Sequence, residues 1–98
     1  MLTSQAYSGY AKMRLEYLQS RNPEAARKME QEGTLSSHLE QIERAANEAR
    51  ARSEAQLMQE TGATEALKAS DWGAWYAKAS TAQARAREIA IKEVVEAI

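Results

Sequence analysis

The side chains able to act as acids, bases, nucleophiles or metal ligands are few in this 98-residue chain, which has one His and no Cys. His38 stands beside Ser37 with no Asp or second His at relay or ligand spacing, so the residue types predict a structural or surface histidine. Glu40 and Glu43 share a helix face, but one His and no thiolate leave no ligand set for a tightly held transition metal. Gly33, Gly62 and Gly73 stand singly, so no glycine-rich loop is available to cradle a phosphate. Catalysis also needs a dry pocket with shifted pKa values, and a thin Ala-rich chain has little room for one. The expectation is a non-enzymatic protein with no catalytic residues, no metal and no cofactor.

What the sequence offers instead is material for a binding surface. Its aromatic residues are Tyr7, Tyr10, Tyr17, Trp72, Trp75 and Tyr76. Tyr and Trp dominate interface hot spots because they join apolar area to a polar handle. In a chain with no Phe and few Leu some of them must also build the core, and Tyr10, Met13, Tyr17 and Trp75 are expected there. Tyr7, Tyr17, Trp72 and Tyr76, with the acidic Glu40 and Glu43, form the expected protein-binding set, Tyr17 standing in both groups.

Charge is unevenly spread: the formal net charge is -1, with +3 over residues 1–28, -5 over residues 29–65 and +1 over residues 66–98. A near-neutral total gives no overall field to gather nucleic acid. The alternative function therefore rests on local basic residues, Lys12, Arg14, Arg21, Arg27 and Lys28, placed on two N-terminal helices that could approach DNA as a helix-turn-helix does. The plainer reading of the same residues is salt-bridged helix surface. The repeat Ala-Arg-Ala-Arg, at residues 49–52 and 84–87, puts its arginines on different helix faces and reads as solvated surface.

Helices must position these side chains. The apolar residues include 20 Ala but only 13 Leu, Ile or Val, a composition rich in helix former and poor in bulk. No segment alternates apolar and polar over strand length, so strands are not expected. A first helix is predicted from about Tyr7 to Gln19, with Tyr10, Met13 and Tyr17 on one face and Leu18 beside them. Asn22 and Pro23 open a short second helix that Gly33 stops. A long helix follows over residues 34–60, with Ser37 and Glu40 spaced as a capping box and a seam of Leu39, Ile42, Ala46, Ala49 and Ser53. Gly62 closes it, Thr64 or Glu65 opens a brief turn through Leu67, and Asp71 caps a last helix from Trp72 nearly to Ile98. The seam of that helix is Trp75, Ala79, Ala82, Ala86 and Ile89.

The fold class that follows is all-α, one helical domain over residues 1–98. Its two long helices form an elongated antiparallel hairpin, with Leu39 and Ile42 near Ile89 and the two shorter N-terminal helices packed on one end. Ile91, Val94, Val95 and Ile98 lie off the Trp75 seam and need a separate cover, either the first helix or another copy of the chain, which makes them the expected self-association residues. No apolar run approaches a membrane span and no leader pattern opens the chain, so a soluble, unprocessed protein is expected. The lack of Cys excludes a disulfide framework and suits a reducing cytoplasm.

The order of motifs is also distinctive: Gly9-Tyr10-Ala11-Lys12-Met13-Arg14-Leu15-Glu16-Tyr17-Leu18, then Pro23, Gly33, Leu35, His38, Leu39 and Ile42. Later come Gly62, Thr64-Glu65-Ala66-Leu67-Lys68-Ala69, Asp71 and Trp75, followed by Ala86, Glu88, Ile89 and Glu93. This order resembles the transposon-encoded TnpV family. Thr34 stands where family members commonly carry a basic residue, which removes one nucleic-acid contact. The resemblance implies a small accessory protein of a bacterial mobile genetic element and supplies no catalytic residues. The expected function is protein–protein interaction with an element-encoded recombinase or with a host defence nuclease. In the second case it would resemble an anti-CRISPR inhibitor, its acidic middle occupying a positive nucleic-acid channel. The alternative is an excisionase-like or regulatory DNA-binding factor.

Overall fold

The computed structural model describes residues 7–97, and among them there are helices and no strands. Helix α1 spans Gly9–Arg21, α2 Pro23–Glu32 and α3 Leu35–Thr61. Helix α4 spans Glu65–Ser70 and α5 Trp72–Ala90, and a π-helical turn, Ile91–Val95, continues α5. Local chemistry explains most of these limits. Asn22, Thr64 and Asp71 each accept a backbone N–H with the side chain, from Ala25, Leu67 and Ala74, at 3.3, 3.2 and 3.1 Å. These bonds satisfy amides that a helix start leaves without partners. Gly33 and Gly62 close α2 and α3 in the left-handed conformation, with φ of 75° and 81°.

The Ser37–Glu40 capping box does not form. Helix α3 begins at Leu35 after Thr34, which makes no side-chain cap and instead donates its hydroxyl to the Met29 carbonyl at 3.4 Å. Leu35 and Leu39 are both fully buried one turn apart, so burial draws the helix start ahead of Ser37. Four other limits also move: α1 begins at Gly9 and ends at Arg21, α4 runs on to Ser70, and the α-helical part of the last segment ends at Ala90.

The two long helices pack along the expected seams. Ala46 and Ala49, near the middle of α3, cluster with Ala90 at the end of α5, and Lys78, early in α5, donates to the carbonyl of Thr61 at the end of α3 at 2.8 Å, so the pair is antiparallel. Ala79, Ala82 and Ala86 carry the α5 side of the seam. Small side chains allow close approach of the helix axes. The result is a rod of 56 × 22 × 20 Å. Nine of the fifteen buried apolar residues are Ala, while the bulky ones, Tyr10, Leu15, Leu18, Leu35, Leu39 and Val95, all gather at the end where α1 and α2 pack. Most apolar burial, and with it most stabilisation, therefore sits at that end.

The π-helical turn changes which residues meet there. Glu96 N–H bonds the Ile91 carbonyl at 2.9 Å, five residues back. In an ordinary α-helix, residues five apart point about 140° away from each other. The wider turn instead lets Ala90 and Val95, 0% and 2% exposed, face one core with Tyr10, while Ile91 and Val94 pack beside them. Ile42 thus meets this C-terminal group rather than Ile89, and Leu39 joins Ala11, Leu15 and Leu35 in a neighbouring cluster. Of the two covers open to the Ile91–Val95 stripe, α1 is the one in place; Ile98 lies outside the described residues.

Close packing of alanines gives a direct test. Ala86→Leu, at a position with no exposed surface, is expected to push the helices apart and lower stability by about 1–3 kcal/mol. Ala77→Leu, on the exposed face, should leave it within about 0.5 kcal/mol. Thermal unfolding followed by circular dichroism reads both.

Candidate functional site

The buried face of α1 differs from the Tyr10, Met13, Tyr17 face expected for it. Ala11, Arg14, Leu15 and Leu18 follow steps of three, one and three, and all are buried together with Tyr10. Met13 and Tyr17 lie at the edge, half-buried. A guanidinium in that apolar face must find acceptors. Arg14, 8% exposed, donates Nη1 to the Val95 carbonyl at 2.8 Å and to the Ala97 carbonyl at 2.5 Å. Its Nε–H bonds His38 Nε2 at 3.2 Å, and the Tyr17 ring lies 5.6 Å from Cζ.

This geometry fixes the state of His38. A nitrogen that accepts from Arg14 cannot carry a proton, so the ring is neutral while this bond is made. Burial holds its pKa below the ordinary histidine value, and the adjacent Arg14 charge lowers it further. Burial also lowers the Arg14 pKa, against a smaller opposite effect of Tyr17. His38 thus has a structural role, as its isolation in the sequence suggests.

Glu43 has a local role too. Ser8 precedes α1 without a side-chain cap, and Glu43 reaches across from α3 to accept the Ala11 N–H at 2.8 Å. Gly9 makes room for this carboxylate: its φ is +62°, and a Cβ there would stand 2.8 Å from Glu43 Oε1. Negative charge at a helix N-terminus is favourable. Glu40, one turn earlier, is exposed. Arg50 and Arg87, one from each Ala-Arg-Ala-Arg repeat, line a depression beside Gly9 and Glu43. Ala49 and Ala86 of the same repeats are core, so only part of each repeat is solvated surface.

The aromatic residues do not form one surface. Tyr7 packs against the Leu15 cluster and its hydroxyl lies 3.0 Å from Ser36 Oγ, so Tyr7, Tyr10 and Tyr17 belong to the α1 end. Trp72, Trp75 and Tyr76 lie at the opposite end of the hairpin. Trp72 and Tyr76 are 58% and 55% exposed, the large apolar side chains that stand most open among the described residues. Their rings stack with centroids 5.1 Å apart, Trp75 tilts against Trp72 at 6.5 Å, and Lys68 Nζ sits 4.7 Å from the Trp75 ring centre. Helical spacing of four residues brings Trp72 and Tyr76 together on one face.

The basic residues divide in the same way. Arg14 is buried and bonded, whereas Arg21, Arg27 and Lys28 are exposed and Lys12 is half-buried. Beside Arg14, a cleft of about 490 Å3 opens between α1, α2 and the C-terminal turn. It is the feature that sequence reasoning misses. The available signal is the spacing of Ala11, Arg14, Leu15 and Leu18, which sets a cation inside an apolar stripe.

These features define a small all-α protein, a helical hairpin with an arginine-bonded end and an exposed aromatic end. No helix among the described residues is long and apolar enough to cross a membrane. The chain belongs to the TnpV family: the model for "Transposon-encoded protein TnpV" matches residues 2–95. It is accordingly a transposon-associated protein. No curated protein and no solved structure matches it.

The His38 contact predicts a pH effect. Because the folded-state pKa is depressed, the unfolded chain binds the proton more tightly. The contribution of this contact is whole above about pH 6.5, the ordinary histidine value, and is lost as pH falls through the lowered folded-state value. Urea unfolding from pH 7.5 to 5 should show wild-type stability falling more steeply than that of His38→Gln. Parallel curves would contradict the assignment.

Proposed function

We propose that this chain is a non-enzymatic accessory protein of a bacterial mobile genetic element. It works by binding another protein, either the recombinase encoded by the element or a host defence nuclease. The observation that carries this reading is the exposed Trp72–Tyr76 stack. Leaving two large rings in water on a small protein is unfavourable, and such rings anchor interfaces because they bury much apolar area with little loss of side-chain freedom. The stack rests on the thin end of the rod, away from the bulky core, so a partner can cover it without disturbing the fold. On a nuclease, the binding would act as inhibition in the anti-CRISPR manner, with exposed acidic residues of α3 such as Glu40 facing a positive channel.

The DNA-binding alternative keeps the half-buried Lys12 and the exposed Arg21, Arg27 and Lys28 and loses Arg14, whose Nε and Nη1 donors are turned to His38 and carbonyls. Fewer free cations mean fewer released counterions and a weaker grip on the phosphate backbone.

The test is titration calorimetry of the purified chain against the recombinase of its own element and against a host defence nuclease. Trp72→Ala and Tyr76→Ala should each weaken the complex by about tenfold or more, while helicity is unchanged. Unaltered affinity in both variants would remove this surface. Salt-sensitive binding to duplex DNA from the element ends, with no protein complex, would favour the alternative.

A further inference from the structure

We propose that the cleft between α1, α2 and the C-terminal turn is a binding site for a small organic acid, a carboxylate carried on an apolar body. Its volume of about 490 Å3 falls within the roughly 300–1,000 Å3 of small-molecule sites. Leu18, Met29 and Tyr17 give it apolar walls, Arg14, Arg21 and His38 line it as well, and no Asp or Glu among the described residues does.

The position of Arg14 selects the charge of the ligand. Its Nε and Nη1 are engaged, but Nη2 has no hydrogen-bond partner among the described residues. No side-chain nitrogen or oxygen among them is both fully buried and unpartnered. Arg14 forms part of the cleft's wall, where Nη2 would meet a ligand. Burial has stripped this guanidinium of most of its water, and the acceptors that bond it among the described residues are neutral. A carboxylate at Nη2 would supply the missing counter-charge through a charge-assisted hydrogen bond. The apolar walls disfavour inorganic phosphate, whose every face needs polar partners. A single carboxylate on an aromatic or aliphatic body suits both features. The site is independent of the Trp72–Tyr76 surface at the other end of the rod.

The experiment titrates naphthoate and its neutral analogue naphthalenemethanol into the unaltered isotope-labelled chain, followed by nuclear magnetic resonance. The expected result is saturable shifts at the Arg14 Nε–H, the His38 ring and the Met29 methyl, with the alcohol bound about tenfold or more weakly. Equal affinity for acid and alcohol, shifts centred elsewhere, or no binding at millimolar naphthoate would overturn the proposal. Tighter binding of acetyl-glycyl-leucine than of naphthoate would overturn it in favour of a protein terminus. Both ligands meet the same folded chain, so no variant's folding defect can confuse the outcome.

Discussion

Arg14 is a guanidinium removed almost entirely from water, with no carboxylate paired to it among the described residues. Desolvating a cation costs several kcal/mol unless acceptors surround it. Helix C-termini offer such acceptors, because their last carbonyls have no partner within the helix and carry the negative end of its dipole. The Val95 carbonyl, at the end of the π-helical turn, serves Arg14 in this way, and with the Ala97 carbonyl just beyond the turn it ties the first helix to the C-terminal segment, more than eighty residues along the chain. Much of the α1 end depends on this bond. It fits with the π-helical turn that brings Val95 into the Tyr10 cluster, with a neutral His38, and with the cleft that opens beside the guanidinium.

The rest of the rod follows a different rule. Along α3 and α5 the core is a line of alanines, which allows two long helices to run close but buries little area per residue. Bulk is concentrated at the α1 end, and the aromatic side chains divide to match. Tyr10 is buried where the core is thick, and Trp72 and Tyr76 remain open where it is thin. An end that needs no further cover for its own stability is free to present those rings to a partner. The binding role proposed above and the asymmetric core are thus two sides of one distribution of side chains.

Much of this was legible in the sequence. Asn22, Thr64 and Asp71 announced three helix starts, Gly33 and Gly62 two stops, and the three-and-four spacing of Ala46, Ala49, Ala79, Ala82 and Ala86 announced the hairpin. These are local signals, set by hydrogen bonds and periodicity within a few residues. What escaped depends on contacts far apart in the chain. Arg14 reads as one of five basic residues on two solvated helices until the carbonyls of the C-terminal segment are placed against it. Glu43 reads as part of an acidic surface, yet its carboxylate caps α1 over Gly9. The Ser37–Glu40 spacing matched a capping box by itself, but burial of Leu35 outweighed it. Ile91 to Val95 reads as a stripe in need of a partner when the α-helical register is carried on past Ala90.

Hydrogen exchange on Arg14→Met tests the central role of the Arg14 bond most directly. The substituted side chain keeps apolar bulk and removes the donors. The amides of α1 and those of Glu96 and Ala97 are expected to lose protection together, while the Ala46–Ala49 and Ala79–Ala86 stretches of the seam keep theirs. Unchanged protection in α1 and the C-terminal turn would contradict it, as would an equal loss along the whole rod.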